Sequence, residues 1–187
     1  MLAALQAGAQ ALPFVPVRGL LESDLLRTRP DYKVVANPFD ESEQIVLVPA
    51  LRPEFALLHG FQADAHGNVL LPGGLDGVLA AQAAERVIVT VEELVDHDLF
   101  EHPRPGVVLP ALYVESVVLA PSGARPTGCP GYYEVDGAAI QDYLRAAADP
   151  TAFAAYLARS VLRPEGEEGG REDFETAGAA GGKRVGS

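Results

Sequence analysis

The chain has 187 residues, 48% of them apolar, which suffices for one domain with a sizeable core. Acidic residues outnumber basic ones 26 to 14, and the resulting net charge of −12 argues against general nucleic-acid binding, which needs a cationic face. No apolar run is long enough to span a bilayer, the start lacks a signal-peptide pattern, and one cysteine permits no intrachain disulfide, so a cytoplasmic protein is expected.

Residues 1–11, rich in Ala, Leu and Gln, predict a helix. Residues 12–17 are apolar, but Pro13 and Pro16 confine them to an edge strand or an extended segment. Ser23 and Asp24 can cap a short helical turn that stops before Pro30. Residues 32–35 suggest a short strand, and 37–43 a turn-rich loop. Three short apolar runs follow, at 45–48, 55–58 and 87–91, each bounded by Pro, Gly or charge. Such runs suit strands buried on both faces of a sheet. Between the last two, residues 75–84 predict a helix with Asp76 as N-cap. Strand, helix, strand indicates an α/β domain, an open and mostly parallel sheet flanked by helices.

Residues 107–109 and 113–119 are strand-like, and 121–130 form a Gly- and Pro-rich loop. Helices are expected near 138–148, capped by Asp136, and from Asp149-Pro150 to about 162. The composition then turns to Glu, Gly and Ala, which predicts a domain over 1–163 and a disordered tail over 164–187.

An ordered set of short motifs carries a resemblance. It comprises Leu12-Pro-Phe-Val-Pro-Val-Arg-Gly19 with Ser23-Asp24, then His59, Gln62-Ala-Asp64, Gly67-Asn68 and Val87-Ile-Val-Thr-Val-Glu-Glu-Leu-Val95. Pro126-Thr127, Gly131-Tyr132 and Asp136 complete it. Together they resemble the α-subunit of family I CoA-transferases, the glutaconate CoA-transferase type. The resemblance implies a CoA-transferase-like fold lacking the portion ahead of residue 12, either as a natural short form or because Met1 is not the true start. It also implies a β-subunit partner in a hetero-oligomer, coenzyme A as substrate, and no cofactor or metal. The family's nucleophile is a glutamate that attacks an acyl-CoA thioester. In two-subunit members it sits on the β-subunit, so no catalytic residue is expected here. Other relatives of this type hydrolyse or ring-open a CoA thioester, and a non-catalytic truncated subunit is a further alternative.

The candidate substrate- or CoA-binding residues are Arg18, Gly19, Ser23, His59, Asp64, Asn68 and Glu92. Because the chain is acidic, a site for polyanionic CoA must rely on backbone N–H groups or single arginines. Arg18, followed by Gly19, can present its planar fork to a carboxylate or phosphate, or pair with Glu22 or Asp24. Ser23 can donate to an acyl oxygen or cap a helix. His59 at a strand's carboxyl end, with Asp64, His66 and Asn68 in the following turn, can line a site. A metal reading takes His59, Asp64 and His66; the structural reading has them holding the loop. Glu92 follows a strand and either meets ligand or joins Glu93 in opening a helix. Cys129 reads as a bystander thiol, and His97 and His102 as surface residues.

Overall fold

The computed structural model describes residues 2–74, 76–102 and 104–162. They divide into two compact units, Met1–Asp136 and the chain from Gly137 onward, where the sequence suggests a single body to residue 163. The tail predicted over 164–187 lies outside the described residues. Among the described residues, no helix is long and apolar enough to cross a membrane.

The first unit opens with α1 (Leu2–Ala9), β1 (Phe14–Val17), the single turn α2 (Leu25–Thr28), β2 (Lys33–Asn37) and β3 (Asp40–Pro49). The three strands form an antiparallel sheet in the order β1-β3-β2. Pro16 sits on an edge strand, where its missing N–H costs no central ladder bond. The apolar run at 45–48 therefore belongs to this small sheet and not to the larger one. Val46 and Val48 are buried with Ala4 of α1, and Val15, Val17, Leu20, Leu26 and Tyr32 pack around them. The segment expected as a loop at 37–43 is largely strand. Asn37 Oδ1 accepts the Phe39 N–H at 3.0 Å and Asp40 Oδ1 the Ser42 N–H at 3.1 Å, so side chains satisfy the turn and the hairpin stays tight.

Next come β4 (Phe55–Asp64), β5 (Val69–Leu71), α3 (Asp76–Ala83), β6 (Arg86–Val95), β7 (Val107–Leu109) and β8 (Ser116–Leu119). Their sheet has the order β7-β5-β4-β6-β8. β6 runs parallel to both β4 and β8, while β5 is antiparallel to β4 and β7. The sheet is thus mixed, with α3 making the crossover that two parallel strands require. Ala81 of α3 packs on Ala56, Val87, Val89 and Val91, with Val69, Leu71 and Leu109 completing the core. The expectation of burial on both faces fails here. Successive side chains alternate, and Leu57 remains 74% exposed between buried Ala56 and half-buried Leu58.

β4 and β6 also run well past their apolar cores. His59 lies in the middle of β4 instead of at its end, and Glu92 and Glu93 lie within β6 instead of opening a helix. Polar residues persist in these strands because they bond across them, with His59 beside Thr90 and Gln62 beside Glu93 in the parallel register.

The second unit holds α4 (Gly137–Ala147) and α5 (Pro150–Ser160). Asp149 caps α5, accepting the Ala152 N–H at 2.8 Å with Pro150 at the first position. Tyr143 packs edge-on to Phe153 and Tyr156, and Arg159 binds Asp142 at 2.7 Å.

Gly60, beside His59, marks a close approach. A Cβ there would lie 2.7 Å from Val69 Cγ1 and 3.1 Å from the Leu70 carbonyl oxygen. Gly60→Ala is expected to destabilise the fold by roughly 1–3 kcal/mol through overpacking. The measurement is a urea denaturation, with a lower midpoint at unchanged slope as the predicted result.

Candidate functional site

Thr90 and Glu92 are two residues apart on β6 and so project from the same side, beside His59 of β4. His59 Nδ1 lies 2.8 Å from Thr90 Oγ1, and Nε2 lies 2.8 Å from Glu92 Oε1. The Thr90 hydroxyl donates to the Leu58 carbonyl at 3.3 Å, which leaves its oxygen to accept Nδ1–H. A bond from Nε2 to the carboxylate then needs the proton on Nε2.

Glu92 is 7% exposed and receives more than the imidazole. Its Oε1 also accepts the Tyr133 hydroxyl, and its Oε2 accepts the Ser122 N–H at 2.6 Å. The Tyr133 hydroxyl in turn accepts the Ala124 N–H at 2.9 Å. Burial alone would raise the Glu92 carboxyl, but the bonds from Tyr133, Ser122 and His59 outweigh it and hold the group below its ordinary value. Glu92 is therefore an ionised carboxylate with its acceptor positions filled. It clamps the loop at 121–133 onto the sheet.

Cys129 lies beneath that loop, 2% exposed, bridged to Tyr133 by backbone bonds of 2.9 and 3.0 Å. Burial, and then the charge of Glu92, push its thiol up, away from the thiolate that nucleophilic attack needs.

A second carboxylate site adjoins this one in sequence. Glu93 Oε2 accepts from Gln62 Nε2 at 2.5 Å and from the Tyr132 hydroxyl at 3.0 Å. These two bonds hold Glu93 below its ordinary value. The Tyr132 phenol is pushed up to about 12 by burial and by its bond to Glu93. Its ring stacks on Phe61 with centroids 5.9 Å apart.

The other predicted residues are placed elsewhere. Asp64 and Asn68 are both buried and direct their polar groups to the chain itself. Asp64 Oδ1 accepts the His66 and Asn68 N–H groups, and Oδ2 accepts Asn68 Nδ2 and the Leu99 N–H. Asn68 Oδ1 accepts the Ala111 N–H at 2.9 Å. Gly67 takes a φ of +85° in this turn, a conformation that favours glycine.

Arg18 lies on the three-stranded sheet, its side chain 79% exposed, and pairs with Glu43 at 2.7 Å instead of with Glu22 or Asp24. Gly19 follows it with open space where a Cβ would stand. Ser23 donates to the Leu20 carbonyl at 2.9 Å, and α2 has no side-chain cap bond. Arg18, Gly19 and Ser23 thus form one locality and His59 with Glu92 another. Among the described residues, the three donors that could surround one cation are His59, Glu92 and Cys129, not His59, Asp64 and His66. His97 and His102 meet with ring centroids 5.0 Å apart, on neighbouring turns of an irregular segment.

Thr90, Tyr132 and Tyr133 are site residues that the sequence does not single out. The signal for Thr90 is its period-two spacing with Glu92, once β6 is extended beyond its apolar core. Tyr133 approaches Glu92 across 41 residues, a pairing that no local pattern encodes.

Residues 1–120 match the sequence profile of the family described as Coenzyme A transferase. The chain belongs to this family. It is 42% identical over 153 residues to one of the subunits of 3-oxoadipate CoA-transferase from Pseudomonas knackmussii, covering 81% of this chain and 53% of that protein. The solved glutaconate CoA-transferase of Acidaminococcus fermentans superposes with a TM-score of 0.75 at 31% identity, over 83% of this chain and 54% of that one. A cholesterol ring-cleaving hydrolase IpdA subunit of Rhodococcus jostii is 31% identical over 183 residues, 92% of this chain and 60% of that protein. The chain spans about half the length of the curated relatives it matches.

Replacing Glu92 by Gln leaves one acceptor, strips the negative charge and disrupts a buried network. A loss of roughly 3–5 kcal/mol at neutral pH is expected. Because the folded-state value is depressed, the wild-type advantage is full above the ordinary carboxylate value of 4.5 and fades as pH falls through the lower folded value. Urea denaturation of both proteins at neutral and acidic pH should show the gap between them closing in acid.

Proposed function

We propose that the chain supplies the α-type part of a two-component CoA-transferase, which moves CoA from an acyl-CoA to a small carboxylic acid. The nucleophilic glutamate is assigned to a β-type partner. Coenzyme A serves as substrate, with no resident cofactor, and the complex works in the cytoplasm. The observation that carries this reading is the state of the chain's own nucleophile candidates. Glu92 is buried with both oxygens occupied, Glu93 holds two donors, and Cys129 is a buried thiol. None is free to attack a thioester, and the relatives named as CoA-transferases are each one component of a multi-subunit enzyme.

In the proposed reaction the partner's carboxylate adds to the thioester carbonyl and expels CoA thiolate, leaving an acyl-glutamyl anhydride. The thiolate then attacks the glutamyl carbonyl, releasing the first acid and leaving a glutamyl-CoA thioester. The acceptor acid attacks that thioester, and the returning thiolate takes up the new acyl group, freeing the glutamate. This chain contributes a shaped surface: Glu92 fixes the 121–133 loop through Ser122 and Tyr133. Arg18 is the chain's candidate for holding a carboxylate or a CoA phosphate, because its fork is exposed and only an exchangeable ion pair with Glu43 occupies it.

A second reading is an acyl-CoA hydrolase or ring-opening enzyme, favoured by the similarity over 92% of this chain to the Rhodococcus jostii protein. Co-expression with a β-type partner separates the readings. Co-purification, CoA transfer in a panel of short carboxylates, and loss of activity on changing the partner's glutamate to alanine support the transferase. CoA release that needs no acceptor acid supports the hydrolase, and transfer by this chain unaided would refute the two-component reading.

Arg18→Lys is expected to cost roughly 1–3 kcal/mol in kcat/KM of the assembled enzyme, the worth of a charge-assisted hydrogen bond. Unchanged kinetics in both the Lys and Ala variants would reduce Arg18 to its surface pair with Glu43.

A further inference from the structure

We propose that His59, Glu92 and Cys129 form a binding site for a borderline-soft divalent cation, zinc foremost. One nitrogen, one carboxylate oxygen and one sulfur, from β4, β6 and the 121–133 loop respectively, lie within 4.8 Å of one another. Imidazole, carboxylate and thiolate are the donors zinc takes, whereas magnesium and calcium prefer oxygen alone.

The surroundings of the three donors point the same way. A ligating histidine ordinarily donates its other ring N–H to a neighbour, which fixes the ring and its tautomer. His59 Nδ1 has that partner in Thr90 Oγ1 at 2.8 Å, itself anchored on the Leu58 carbonyl, so Nε2 is the nitrogen left to face the ion. The carboxylate is oriented by the Ser122 N–H and the Tyr133 hydroxyl, both of which remain available as outer bonds. An ion would take the place of the proton between Nε2 and Glu92 Oε1, now 2.8 Å apart. Tetrahedral zinc separates its donors by roughly 3.4 Å, so the imidazole and carboxylate need part by only about half an ångström while the thiol closes in. Bound there, the cation would tie both strands and the loop together at one point, with water filling its remaining position.

The test uses the untagged, full-length chain with zinc or cobalt(II) alone. Cys129 is the only cysteine, so a sulfur-to-cobalt charge-transfer absorption in the near ultraviolet can be assigned to it without any variant. The expected results are that absorption, and one zinc per chain by calorimetric titration, with magnesium giving no heat. Cys129→Ser should abolish the absorption, and His59→Gln and Cys129→Ser should each weaken zinc by more than tenfold. Thr90→Val should weaken it by roughly 10–100-fold, as loss of an outer bond does elsewhere. No stoichiometric zinc binding, or a cobalt spectrum without the sulfur band, overturns the proposal. So does binding that survives Cys129→Ser but vanishes in His97→Ala, which would assign the metal to the exposed His97–His102 pair.

Discussion

The arrangement of this domain turns on one buried carboxylate. Glu92 brings a negative charge into the sheet, and such a charge is tolerated only when it is fully paired. His59 comes from the neighbouring strand, Ser122 and Tyr133 from a loop 30 and 41 residues further on. Removing the charge from water is costly, and meeting that cost requires all three partners at once. The demand therefore fixes a loop rich in Gly and Pro that has little apolar material of its own. Ser122, Gly123 and Arg125 are exposed, yet the segment is held by bonds that converge on the sheet.

A similar device operates at the turn after β4. Asp64 is buried, and hydrogen bonds from the Asn68 side chain and from the Leu99, Asn68 and His66 N–H groups outweigh its desolvation and hold it below the ordinary value. With Asn68 reaching the Ala111 N–H, this pair joins the β4–β5 turn to the segments near residues 99 and 111. Both motifs that carry the family resemblance in this region, Gln62-Ala-Asp64 and Gly67-Asn68, thus have a physical reason in loop architecture. Binding and architecture are not alternatives at such positions, because a surface recognises a ligand only if its loops are held still.

The strands show how far the sequence carries. The runs at 45–48, 55–58 and 87–91 do lie in strands, and helices do form over Leu2–Ala9 and Asp76–Ala83. Hydrophobic periodicity and proline placement are local signals, and β1 with Pro16 falls at an edge as its chemistry requires. Strand ends are illegible wherever a polar residue is satisfied by a distant partner. His59 and Glu92 look like terminators in isolation, and only their mutual bond explains why β4 and β6 continue. The separate three-stranded sheet is hidden for the same reason, since an apolar run does not announce which sheet it joins. At the site, His59 and Glu92 are legible as candidates from their place beside apolar strands. Their connection to Tyr133 and Cys129 is not, because it depends on tertiary closure of a long loop.

The central claim is that Glu92 pins the 121–133 loop from beneath, and amide hydrogen exchange at Ser122 and Ala124 tests it most directly. Both amides belong to a loop with little burial, yet one donates to the Glu92 carboxylate and the other to the Tyr133 hydroxyl bound to it. The account predicts exchange at these two amides far slower than for an open loop. Ser122 and Ala124 amides that exchange as freely as solvent-exposed backbone would contradict it.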